Sequence, residues 1–121
     1  MNVAWVLRIE SAALAVLGAG VYLVLGGPPL LLIPLFLVPD LSAAGYLAGP
    51  RVGAVTYNLA HNWALVAILV GLSFATAEDA FLIAAAVLTA HVGADRALGY
   101  GLKLPTGFRD THLGRIGRDR S

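Results

Sequence analysis

The sequence predicts an all-α membrane protein, a membrane-spanning antiparallel four-helix bundle with a short basic cytoplasmic C-terminal segment, and three observations predict it. Apolar residues make up 59% of the chain and charged residues 12%, about half the roughly 25% charged share of soluble domains. The apolar residues gather into four segments of roughly 20 residues, the length that crosses about 30 Å of hydrocarbon at 1.5 Å per residue. Only a few residues separate one segment from the next, and short loops make neighbouring spans run antiparallel.

The first span covers 4–25. Its opening, "MNVAWVLRIESAALAVLGAG", has the outline of a signal peptide, but Glu10 interrupts it and no clean cleavage motif follows, so we read it as a retained span. Ser11, Ala15 and Ala19 recur every four residues and suit a close helix-packing face. "GGPP" at 26–29 ends this span, and the second covers 29–49 with Pro34 and Pro39 inside it. Proline removes a backbone donor and disfavours helix in the residue before it, which predicts a kink near Val38. Asp40 would then cap a lower half-helix starting at Leu41. "GPR" at 49–51 leads into the third span, 52–75, and "ATAED" at 75–79 into the fourth, 79–99.

Residues 1–100 thus form one bundle domain, and 101–121 a cytoplasmic tail or lid. The tail is basic, carries glycines at 101, 107, 114 and 117, and is too short and polar to span. One reading is a solvated tail drawn to anionic headgroups. The other is a lid that brings Asp110 or His112 to the mouth of a pocket, because loops commonly supply functional residues. No internal repeat supports a pseudo-symmetric transporter. The absence of cysteine excludes disulfides, thiolate metal sites and cysteine nucleophiles.

Basic residues set the topology. Arg8, Arg51, Arg96, Lys103, Arg109, Arg115, Arg118 and Arg120 all fall on one side of the predicted spans, whereas "GGPP" and the acidic Glu78 and Asp79 fall on the other. Positive residues collect on the cytoplasmic face, which puts both termini there. Trp5, Trp63, Tyr22 and Tyr46 are interfacial anchors or pocket walls, anchoring being the reading for Trp5.

This assignment also gives depths. Glu10, Asp40, Asn58, His61, Asn62, His91 and Asp95, from four different spans, fall in one layer in the inner half of the bilayer. Ionisable residues at such depth usually face the bundle interior and mark a functional site. His91 and Asp95 are i,i+4 and share a helix face; Asn58 and His61 are i,i+3, flanked by Tyr57 and Asn62. Two histidines with up to three carboxylates (Glu10, Asp40, Asp95) form a nitrogen–oxygen ligand set suited to Zn, Fe or Mn. We therefore take His61, His91, Asp95 and Asp40 as catalytic and metal-ligating candidates, and a divalent metal as the candidate cofactor. Glu10, Tyr57, Asn58, Asn62, Arg96 and His112 are the substrate-binding candidates. The plainer alternatives are structural pairs: His91 with Asp95, Asp95 with Arg96 or Arg51, and Glu10 with Arg8 or Arg96.

The strings "PDLSAAGYLAGPRVGAVTYNLAHNW" and "AHVGADRALGYGLKLPTGFRDTHLG", with the N-terminal "RIE", resemble the small bacterial membrane family catalogued as domain-of-unknown-function family 4260. The resemblance covers nearly the whole chain, through Glu10, Asp40, Asn58, His61, His91, Asp95, Arg96 and the "DTHLG" of 110–114. It implies a four-span protein of a bacterial inner membrane and supplies no activity.

Three function classes follow. The first, which we favour, is a membrane-embedded enzyme acting on a lipidic or isoprenoid-like substrate, by metal-activated water or oxygen or by a carboxylic acid of raised pKa. The second is a proton- or ion-coupled transport element. The third is a structural or regulatory membrane partner subunit. The outer half of every span lacks ionisable residues, which argues against a relay crossing the bilayer. Expected partners are the bilayer and a hydrophobic small molecule, with a homo-oligomer open and no nucleic acid. Arg118, Asp119 and Arg120 are expected to be dispensable.

Overall fold

The computed structural model describes residues 2–115, with the side chains of Asp110 and Arg115 outside the description. The expectations for Arg118, Asp119 and Arg120, and for the Asp110 side chain, lie outside the described residues. The regular structure is helical except for a minimal hairpin: α1 (Val3–Val24), α2 (Leu32–Leu37), α3 (Pro50–Ala60), α4 (Trp63–Thr76) and α5 (Asp79–Leu98), then β1 (Asp110–Thr111) paired antiparallel with β2 (Gly114–Arg115). Three stretches are long and apolar enough to cross a membrane, Val3–Val24, Pro29–Ala48 and Asp79–Leu98; α3 and α4 together make a fourth if their bent pair is one span. Their outward surfaces carry large apolar side chains such as Val16, Leu17, Ile33, Leu47, Ile68 and Phe74. That is the surface a lipid solvent selects.

Chain ends and turns follow from local chemistry. Asn2 caps α1, its side-chain oxygen accepting from the Trp5 amide at 3.0 Å. Tyr22, one of the sequence's candidate anchors, is instead buried, and its hydroxyl donates to the Pro28 carbonyl at 2.8 Å, fixing the turn after α1. Gly99 ends α5 in the left-handed region at φ 90°, and the Tyr100 amide returns to the Asp95 carbonyl at 2.7 Å.

The second span bends differently from the expected kink. It continues through Pro39 by tightening: Pro29–Leu31 is 3-10 helix, Leu32–Leu37 is α, and Val38–Ala48 is 3-10 again. Pro39 has no amide hydrogen for the Leu35 carbonyl, and the Ser42 hydroxyl donates to the Pro39 carbonyl at 2.6 Å. Asp40 does not serve as a helix cap. The third span, expected to run unbroken over 52–75, is interrupted at His61 and Asn62, where α3 and α4 meet at 42°. Asn62 produces the break: its side-chain oxygen caps α4 by accepting from the Leu65 amide at 2.9 Å, and its amide group donates to the Asn58 carbonyl at 2.7 Å.

α5 is the most buried helix and packs antiparallel to α1. Gly18 lies against Ala86 and Ala90, Ser11 and Ala15 against Gly93, and the Arg8 Nε donates to the Ala97 carbonyl at 2.7 Å. The small-residue face therefore uses Ser11 and Ala15 as expected, then Gly18 in place of Ala19. A β-carbon on Gly93 would sit 2.7 Å from the Ala15 nitrogen and 2.8 Å from the Ser11 oxygen, backbone atoms that cannot swing aside. We expect Gly93→Ala to cost about 1–3 kcal/mol, the usual penalty of overpacking, and Gly20→Ala, inside α1 with nothing within 4 Å, to hold or slightly raise stability, alanine being the better helix former. Thermal unfolding in detergent measures both.

Candidate metal centre

Two irregularities in the helices aim two histidines at one point. At the end of α3 the His61 amide bonds the Asn58 carbonyl, three residues back, at 3.2 Å. The Tyr57 carbonyl, its partner in a regular α-helix, is left for the His61 ring, whose Nδ1 lies 2.7 Å away. The switch to three-residue bonding after Leu37 likewise leaves the Phe36 carbonyl available, and the His91 Nδ1 lies 2.5 Å from it. A carbonyl can only accept, so Nδ1 carries the hydrogen in both rings. In the neutral rings both Nε2 atoms then offer lone pairs to whatever lies beyond them.

Beyond them lie each other and two carboxylates. The two Nε2 atoms are 3.1 Å apart. Asp40 Oδ1 is 3.2 Å from His61 Nε2 and 3.1 Å from His91 Nε2; Asp95 Oδ2 is 3.9 Å and 3.2 Å from the same two atoms. All four ligand atoms fall within 4.8 Å of one another. An ion about 2.0–2.2 Å from four tetrahedral donors would hold them roughly 3.3–3.6 Å apart; four of the observed spacings are 3.1–3.2 Å, one is 3.9 Å, and the whole set lies within 4.8 Å, so a bound ion needs only small side-chain shifts. With both rings neutral and both carboxylates ionised, four acceptors face one another without a hydrogen among them, and a cation at their centre, a metal ion or a shared proton, removes the conflict. A divalent ion also cancels the charge of the two carboxylates, which matters about 10 Å from the end of α5, the depth of His91 at 1.5 Å per residue.

The surroundings divide into a wet side and an oily side. His61 and His91 are buried, whereas the Asp95 side chain is 19% exposed and that of Asp40 50%. Both carboxylates line a cavity of about 440 Å³ together with Tyr57, Tyr100, Lys103 and Phe108. Tyr57 stacks flat on the His61 ring at 3.7 Å between centroids. On the other side an apolar groove of about 470 Å³ is walled by Leu35, Val38, Leu65, Leu69, Val87 and Leu88, with others. On α5 it follows Ala80, Ala84, Val87 and Leu88, a helical face that continues into His91 and Asp95.

Of the candidate residues, Asp40, His61, His91 and Asp95 converge, and Tyr57 adjoins them. Glu10 stays away: Ser11, Ala15, Gly18 and Tyr22 form the inward face of α1, and Glu10, about 100° off it, is exposed. Asn58 and Asn62 bond the main chain rather than the cavity. Asn58 clamps Lys103 by two bonds, accepting from its amide at 2.6 Å and donating to its carbonyl at 2.7 Å. Arg96 Nη2 donates to the His61 carbonyl at 2.9 Å, and His112 lies beside Arg96, outside the carboxylate cavity. Two of the arginines considered as carboxylate partners thus bond carbonyls, Arg96 that of His61 and Arg8 that of Ala97.

A family model described as Domain of unknown function (DUF4260) matches residues 4–116. The chain belongs to that family. No curated protein and no solved structure matches it significantly. In this DUF4260 chain the sequence reading missed Lys103, which it used only for topology. The Asn58 clamp buries Lys103, and its Nζ lies 3.8 Å from the Phe108 ring centroid and 4.8 Å from that of Tyr57. The Phe36 carbonyl was missed as well; its only signal is Pro39 three residues on.

Proposed function

We propose that this protein is a four-span inner-membrane enzyme, with both termini cytoplasmic, that uses one divalent ion held by His61, His91, Asp40 and Asp95 to act on a lipidic substrate. The observation that carries the proposal is the pair of rings whose Nδ1 hydrogens are given to the carbonyls of Tyr57 and Phe36, so that both Nε2 atoms face two carboxylates. Outer partners of this kind fix a metal-ligating histidine in the required tautomer and orientation. Zn, Fe and Mn all suit an imidazole–carboxylate set.

When bound, such an ion acts as a Lewis acid and lowers the pKa of a coordinated water. The chain supplies the rest. The groove from Ala80 to Leu88 holds the apolar part of the substrate and excludes water along it. Asp40, the more exposed carboxylate, opens the centre to the cavity where a polar group enters, and Lys103 adds a positive charge on its wall. Conduction across the bilayer fits less well, because the path outward from His91 is this apolar groove. Two positive charges on the cytoplasmic side, Arg96 and Lys103, agree with a site in the inner leaflet.

The test is elemental analysis of the detergent-purified protein, followed by incubation with a bacterial lipid extract and mass spectrometry of the products. We expect one ion per chain and consumption of a lipid that stops on chelation and resumes on adding the ion back. Protein that retains no ion yet converts a lipid would assign the chemistry to the carboxylic acids. Protein that does neither overturns the enzyme reading.

A further inference from the structure

The far side of Arg96 carries the opposite arrangement, a cluster of donors. The Leu102 amide donates to His112 Nδ1 at 2.8 Å, so that nitrogen has no hydrogen and, in the neutral ring, Nε2 does. Partial desolvation and the neighbouring Arg96 charge hold the imidazole of the largely exposed His112 below its ordinary range, which favours the neutral ring. Its Nε2 lies 3.5 Å from Arg96 Nη1, which is also a donor. Two N–H groups thus face one another, and an oxygen about 2.9 Å from each satisfies both. Arg8 lines the same cleft, of about 520 Å³, with Ser11, Trp63 and Leu113. Among the described residues the lining has two arginines and no carboxylate. Arg8 is five residues from the start of α1 and Arg96 two from the end of α5, both near the ends of candidate spans.

We propose that Arg8, Arg96 and His112 form an anion site for a phosphate group, carried by a phospholipid or free in solution. Paired guanidinium and N–H donors match phosphate oxygens, and the apolar walls at Leu7 and Leu113 suit the glycerol and upper acyl chain of a lipid. The site is independent of the metal reading and stands or falls without it.

Trp5 and Trp63 are the two tryptophans, so a Trp5→Phe background leaves Trp63, on the cleft wall, as a single fluorescent reporter. In neutral detergent this protein is titrated with short-chain phosphatidylglycerol, with a diacylglycerol of the same chain length, and with inorganic phosphate. A saturable Trp63 change with phosphatidylglycerol, absent with diacylglycerol and weakened roughly tenfold or more by Arg8→Gln, supports the site. Weaker binding of inorganic phosphate assigns a lipid source, and equal binding a free phosphate. If Arg8→Gln does not fold, His112→Phe, at an exposed position, is expected to weaken binding in the same direction. Equal responses to phosphatidylglycerol and diacylglycerol, no saturable response, or affinity unchanged in a folded variant overturns the proposal.

Discussion

His91→Ala is expected to strip the ion from the purified protein and abolish lipid turnover while the helices remain inserted. His91 is the hub of the centre: its Nε2 is 3.1 Å from Asp40, 3.2 Å from Asp95 and 3.1 Å from the His61 Nε2. Alanine removes one of four donors and also the group that separates the two carboxylates, which then face each other with less neutralising charge. Losing an outer partner of a metal ligand typically costs 10–100-fold in affinity, and losing the ligand itself is expected to exceed about 100-fold. His61→Ala should match it. Asp95→Asn should be milder, because Asp95 lies 3.9 Å from the His61 Nε2 and an amide oxygen retains part of its function. Elemental analysis gives ion content, and circular dichroism with gel filtration reports folding. A folded His91→Ala protein with a full complement of ion would remove His91 from the centre and leave the polar layer as a contact between helices.

The long apolar stretches, and the shared level of these residues along them, were legible because both are one-dimensional, whereas the break at His61 and Asn62 was not. Hydropathy marks a span, and counting from its end gives depth. The His91–Asp95 pair was legible because i,i+4 spacing on a regular helix fixes a shared face. Glu10 sits at the same level as the others along its helix, but which way it faces depends on the packing of α1 against α5, set by Gly18 and Gly93. Asn58 and Asn62 were ambiguous in a different way. An amide side chain suits a pocket wall and a broken helix equally, and the main chain around His61 decided for the break. Lys103 and Phe108 reach the centre only because the segment after Gly99 folds back onto Asn58, a contact across 45 residues with no periodic signature. Backbone carbonyls have no letter in the sequence, so the partners of the two Nδ1 atoms could not be read from it.

Those carbonyls make Pro39→Ala the most discriminating substitution outside the ligands. The Val38 amide already donates to the Leu35 carbonyl, Pro39 has no amide hydrogen to give the Phe36 carbonyl three residues back, and the chain continues as 3-10 helix from Val38, so the Phe36 carbonyl is available to the His91 ring. With alanine, residue 39 can donate to Leu35 and Asp40 to Phe36 in ordinary α-helical fashion. The Phe36 carbonyl then has a competing donor, and the change from about 120° to about 100° of rotation per residue turns Asp40 away from the two Nε2 atoms. A proline in a helix interior is about 3 kcal/mol less favourable than alanine, so the variant is expected to hold or raise its thermal stability. Its ion affinity should nevertheless fall about 10–100-fold, the cost of disturbing an outer partner. Opposite signs in the two measurements separate positioning of the centre from simple loss of fold. Pro34→Ala, at an exposed position near the start of α2, serves as the control and should leave ion affinity unchanged. Equal affinity in Pro39→Ala and the native protein would mean that the 3-10 stretch does not set the aim of His91 or Asp40.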